Sequence, residues 1–146
     1  MKFIATAAAL IALASSATAA FSSCGSSSDS FHLSSVTYSP NPPKVGQSVC
    51  ITLNGSLSKE VTAGATIRVT ATFWGINVYD QTADLCAGLA GGANPCPIAT
   101  TATTVTQCIT VPSNVPAGVS LNLKATANHA DSSRIFCISG PLTFSN

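Results

Sequence analysis

The sequence predicts an all-β protein, a sandwich of two antiparallel sheets with about seven strands, and three observations predict it. Apolar and polar residues alternate with period two through several short runs. Gly, Pro, Asn and Ser punctuate the chain between those runs. No segment shows a 3.6-residue apolar period, and there are no internal repeats. Short strands joined by turns bury one face each, which points to two sheets closing on one core.

Residues 1–20 stand outside that fold as a secretory signal peptide. Lys2 is followed by the apolar run Phe3 to Ala14 and by Ser15-Ser16-Ala17-Thr18-Ala19. Its Ala-x-Ala ending places cleavage after Ala19 or Ala20. The run is too short for a membrane span, which needs about 20 residues. One domain, 21–146, is expected outside the cell or in the lumen of the secretory or vacuolar pathway. Ser22 to Ser30, rich in Ser and Gly, reads as a mobile arm pinned by Cys24. Phe31 to Tyr38 is the first strand. Pro40-Asn41-Pro42-Pro43 stops it, because proline lacks an amide donor and fixes φ. Lys44-Val45-Gly46-Gln47 turns into the second strand, Ser48 to Ser58. Ala65 to Phe73 is the third. Gly75 interrupts it, and Ile76 to Tyr79 is expected to continue in the same direction after a bulge. Cys86 to Cys96 contains Gly88, Gly91, Gly92 and Pro95 and reads as a loop. Thr101 to Val111, Val119 to Ala130 and Arg134 to Phe144 complete the strands.

Within the strands, parity separates a dry face from a wet one. Val49, Ile51 and Leu53 oppose Cys50, Thr52 and Asn54. Ile67, Val69, Ala71 and Phe73 oppose Arg68, Thr70 and Thr72. Ile109 and Val111 oppose Cys108 and Thr110, and Leu121, Leu123 and Ala125 oppose Asn122 and Lys124. Two such faces packed together make a sandwich core.

The chain has six cysteines, and an even number in a secreted chain implies three disulfides. Sequence alone permits fifteen connectivities. Parity favours Cys50 with Cys108, both on wet faces, where a bond spans neighbouring strands. A Cys86–Cys96 bond would close the glycine-rich loop, and Cys24–Cys137 would staple the arm to the last strand. There are no Cys-x-x-Cys pairs for zinc. Past the signal segment, Lys44, Lys59, Arg68, Lys124 and Arg134 balance Asp29, Glu60, Asp80, Asp84 and Asp131. Nucleic-acid binding, which favours a basic excess, is not expected.

Catalysis is not expected either. His32 and His129 are the only histidines, no Gly-x-Ser-x-Gly elbow accompanies them, and Glu60 is the only glutamate. His129 near Asp131 reads as a turn pair. The single Met lies in the signal segment, so a blue-copper site lacks its usual axial ligand. No metal or cofactor is implied. Asn54-Gly55-Ser56 is an N-glycosylation sequon, with Asn54 on a wet face.

Several segments carry a resemblance. Val36-Thr37-Tyr38-Ser39-Pro40-Asn41-Pro42-Pro43-Lys44-Val45-Gly46-Gln47 resembles the opening segment of the ML lipid-recognition family. So do Asp84-Leu85-Cys86, Cys96-Pro97-Ile98, Val111-Pro112, Val115-Pro116-Ala117-Gly118 and Ile135-Phe136-Cys137, in matching order. The set is similar to the fungal-type phosphatidylglycerol/phosphatidylinositol transfer proteins within that family and, more distantly, to the Niemann–Pick C2-type sterol-binding proteins. The resemblance implies an immunoglobulin-like sandwich whose sheets are spread by a lipid, and pairs Cys24 with Cys137 and Cys86 with Cys96. Cys50 and Cys108 depart from the family pattern and are paired by elimination and parity.

On that reading the protein is a secreted carrier of phospholipid or sterol, monomeric, with transient membrane contact. The lipid would lie against Leu33, Val49, Ile51, Leu53, Ile67, Val69, Phe73, Trp74, Ile76, Val78, Ile98, Ile109, Val111, Leu121, Leu123 and Phe136. These faces are dominated by aliphatic side chains, and a dry cavity lined that way accepts apolar guests. Phe73-Trp74-Gly75-Ile76 and Cys96-Pro97-Ile98 are the expected rim. Lys44, Lys59, Arg68 and Lys124 are candidate headgroup cations. The alternative is an interaction or adhesion module whose same residues simply form a packed core.

Overall fold

A computed structural model describes residues 21–146; the signal-peptide reading lies outside the described residues. The strands are β1 (Ser22–Ser23), β2 (Phe31–Ser39), β3 (Ser48–Leu57), β4 (Thr66–Phe73), β5 (Ile76–Asp84), β6 (Thr104–Thr110), β7 (Ser120–Asn128) and β8 (Arg134–Thr143), with one short helix, α1 (Leu85–Leu89), between β5 and β6. They form two antiparallel sheets, ordered β1-β8-β7-β4-β5 and β2-β3-β6. The all-β sandwich expected from alternation is the architecture found.

Register explains which residues meet. Ile51 of β3 lies opposite Gln107 of β6 and Tyr38 of β2. Val69 of β4 lies opposite Ala125 of β7 and Gln81 of β5. Residues facing each other across a ladder share a face, so the dry faces read from parity run across each sheet. Three bulges interrupt the alternation. One in β2 follows Leu33 and lets Phe31, Leu33, Val36 and Tyr38 all pair with inward residues of β3. One in β5 inserts Val78 opposite the Ala71–Thr72 step of β4. The third inserts Ile135 in β8, which is buried beside the half-buried Phe136.

Three expectations are corrected. The chain does not continue in one direction past Gly75. It reverses at Trp74-Gly75, whose φ values of 50° and 78° match the two left-handed positions of a type I′ hairpin, and β5 returns antiparallel along β4. Ser22–Ser30 is not a loose arm. Ser22 and Ser23 pair with Ser139 and Ile138, the Cys24 amide donates to the Cys137 carbonyl at 2.9 Å, and Arg134 Nε donates to buried Asp29 at 2.7 Å. The segment after Cys86 is not all loop. Asp84 caps α1, its Oδ1 accepting from the Ala87 amide at 2.8 Å.

The cysteines bond as Cys24–Cys137, Cys50–Cys108 and Cys86–Cys96. The first ties the N-terminal segment to β8, the second joins β3 to β6 at directly opposed positions, and the third closes the connector that carries α1.

Candidate functional site

The space between the sheets holds two apolar clusters. The cluster at the α1 end contains Phe31, Leu53, Leu57, Val61, Ile98 and Ile135, with Leu33, Ile51, Val105 and Phe136 packed against it. The other contains Val49, Ala71, Val111, Leu121, Leu142 and Phe144, with Tyr38, Phe73 and Leu123 against it. Of the residues read as lipid-lining, Leu33, Ile51, Leu53, Ile98 and Phe136 belong to the first cluster. Val49, Phe73, Val111, Leu121 and Leu123 belong to the second. Ile67 and Val69 belong to neither; they are half-buried on the inner face of β4.

A wholly apolar cavity of about 30 Å³ sits in the first cluster, lined by Phe31, Leu53, Leu57, Val61, Ile98, Val105, Ile135 and Phe136. A space of that size suits a few water-sized guests and falls far short of an acyl chain, so an acyl chain enters only if the layers part. Sequence reading missed Phe31, Leu57, Val61, Val105 and Ile135 in this lining. Leu57 and Val105 were in phase with Leu53 and Ile109 and could have been found by extending the alternation. The bulge hides Ile135, and Val61 lies outside any strand, held by paired backbone hydrogen bonds to Ile98 at 3.0 and 2.9 Å.

The remaining lining residues lie on one flank. The small sheet sets its β2 edge against β1 and β8, which leaves β6 on the side of β4 and β5. Every residue of β5 is exposed. Among the described residues, the exposed large apolar side chains, Trp74, Ile76, Val78, Tyr79 and Ile109, all lie on this flank, Trp74 at 88% and Ile76 at 68%. Ile76 pairs with Phe73 and Tyr79 with Ala71, so both share the inner face of β4. Among the described residues no second-sheet strand covers them. The two segments expected to form one rim lie at opposite ends of the sandwich. Phe73–Ile76 is at the hairpin end, whereas Ile98 is buried at the α1 end.

Polar groups sit away from this apolar surface. Arg68 donates twice to Asp80, at 2.8 and 2.6 Å, on the outer face, and holds that carboxyl below the usual range. Lys59 donates to Asp131 at 2.6 Å at the α1 end, and this bond holds Asp131 well below an ordinary carboxylate. Neither Arg68 nor Lys59 is therefore a free headgroup cation. The His129 ring does not pair with Asp131. It is buried, with Nε2 hydrogen-bonded to Ser30 Oγ at 2.7 Å, and burial lowers its pKa. Asn54 lies on the outer face of β3, its Nδ2 donating to Ser35 Oγ at 3.1 Å and its Oδ1 accepting from Thr104 Oγ1 at 2.9 Å.

Comparison with known proteins follows the same outline. The family model described as the ML domain matches residues 18–144. A phosphatidylglycerol/phosphatidylinositol transfer protein of Candida albicans is 34% identical over 113 residues, covering 77% of this chain and 58% of its own length. One from Aspergillus oryzae is 30% identical over 112 residues, covering 77% and 63%. The chain thus spans roughly three-fifths of the length of these curated relatives. Among solved structures, a Niemann-Pick type C2 protein from Japanese carpenter ant superposes with a TM-score of 0.63 at 17% identity, covering 86% of this chain and 98% of that one. Chicken MD-1 complexed with lipid IVa gives 0.62 at 14% identity, covering 85% and 88%. At these identities the two structures share the fold.

Proposed function

The chain belongs to the ML domain family, and from that premise we propose that it is a secreted, non-enzymatic lipid carrier that holds a phospholipid or sterol between its sheets and exchanges it at membranes. The observation that carries this reading is the uncovered apolar flank. A sandwich with a finished core has no reason to leave Ile76, Tyr79 and Ile109 on inner faces yet exposed. An apolar chain entering along β5 and β6 would cover them and reach Ile67, Val69 and Ile51. Each buried methylene contributes about 0.8 kcal/mol. Curated relatives named as phosphatidylglycerol/phosphatidylinositol transfer proteins support a phospholipid. The three disulfides support an oxidising compartment.

The 30 Å³ cavity favours a second reading, an interaction module with a packed interior. Mass spectrometry of an organic extract of the purified protein separates the two. Lipid in stoichiometric amount is expected. An empty extract, together with no displacement of fluorescent sterol, phosphatidylinositol or phosphatidylglycerol, overturns the carrier.

A further inference from the structure

The two ends of the sandwich differ in charge. At the α1 end, the loops and adjoining strand ends carry Asp29, Glu60, Asp84 and Asp131 with Lys59 and Arg134. At the hairpin end, the loops 40–47, 74–75 and 111–119, with Phe144 and Ser145 held against them, carry one charged side chain, Lys44, and no Asp or Glu. That end also presents Trp74 at the tip of the β4–β5 hairpin. Trp74 is unusual twice over. It is the chain's only tryptophan, and it stands almost fully in solvent with a left-handed φ of 50° that a bulky residue rarely adopts. Asn or Gly would fit that turn position better. Its ring stacks on Phe73 at 5.6 Å, and Phe73 packs on the second apolar cluster, so the exposed ring is braced from the core.

We propose that the hairpin end is the face that docks on a lipid bilayer carrying anionic headgroups, with Trp74 seated at the interface and Lys44 against the phosphates. This deepens the carrier reading and rests on it. An amphipathic indole ring suits the headgroup boundary. The charge complementarity is local: four of the five Asp and Glu side chains stand at the opposite end, and the fifth, Asp80, is paired with Arg68 midway along β5. Ile76, beside Trp74 and on the inner face, places the open flank next to the docked surface, so a lipid leaving the bilayer meets apolar side chains first.

The single tryptophan makes the test direct. Vesicles of phosphatidylcholine with phosphatidylglycerol are added to the purified protein, and emission and co-sedimentation are followed. The expected result is a blue shift with co-sedimentation that weakens as salt rises. Trp74→Asn, which keeps the left-handed turn, is expected to weaken co-sedimentation at least about tenfold, and Lys44→Ala about fivefold. Lys59→Ala, at the other end, is expected to change neither. Unshifted emission at saturating vesicles, or Trp74→Asn sedimenting like the parent, overturns the proposal. Lipid in the organic extract of the same preparations keeps the two failures distinct: a lipid-loaded protein that ignores vesicles loses the docking face and keeps the carrier.

Discussion

At the scale of single residues, Gly75 and Gly88 show how backbone conformation rather than space decides a substitution. A methyl added at either meets nothing within 4 Å. Gly75 has a φ of 78°, where a Cβ is strained, so Gly75→Ala is expected to cost about 1–2 kcal/mol in urea unfolding. Gly88 lies in α1 with no such φ, and Gly88→Ala is expected to stabilise by about 0.5–1 kcal/mol in the same measurement. His129 gives a pH dependence with a definite sign. Burial lowers its pKa, with Lys59 acting in the same direction. Its neutral form is therefore favoured by the fold, and the unfolded chain binds the proton first as pH falls below about 6.5. Stability is fully present above that value and declines below it as pH falls toward the folded pKa. Urea midpoints measured from pH 8 to 5 are expected to fall, and His129→Gln to flatten the lower half of the curve.

At the scale of elements, the strands were legible because alternation is a strong signal: Val49, Ile51, Leu53 and Ile67, Val69, Ala71 declare their faces without help. What escaped did so for physical reasons. Phe73-Trp74-Gly75-Ile76 lacks the Asn-Gly or Asp-Gly pair that advertises a type I′ turn, so one hairpin read as one interrupted strand. A helix of five residues is too short to show a period. Ser22–Ser30 reads as a loose arm by composition, and only the tertiary partners Arg134 and His129 reveal that Asp29 and Ser30 are buried. The disulfides stabilise different spans. They close separations of 113, 58 and 10 residues for Cys24–Cys137, Cys50–Cys108 and Cys86–Cys96. Loop-closure entropy gives roughly 5, 4 and 3 kcal/mol in that order. Replacing each pair with serine is expected to lower the thermal midpoint most for the first and least for the third, read by circular dichroism.

At the scale of the whole molecule, the two dry faces of the candidate site were legible in the sequence, but the exposed flank was not. Sequence places Ile76 and Ile109 on strands; only the unequal sizes of the sheets show that five strands overhang three and leave β5 bare. The carrier reading makes a prediction here. Val69→Trp enlarges a half-buried side chain midway between the apolar clusters, so co-purifying lipid is expected to fall several-fold while the circular dichroism spectrum keeps its β signature. Unchanged lipid content would place the ligand elsewhere.

The positions of the three covalent links have a mechanical meaning. In antibody-type domains a cystine crosses from one sheet to the other and pins the covers together. Here every bond stiffens a single cover or the spine beside it, and none stitches cover to cover. The soft direction of this molecule is therefore the thickness of the book, which can swell around a guest without straining a sulfur bridge.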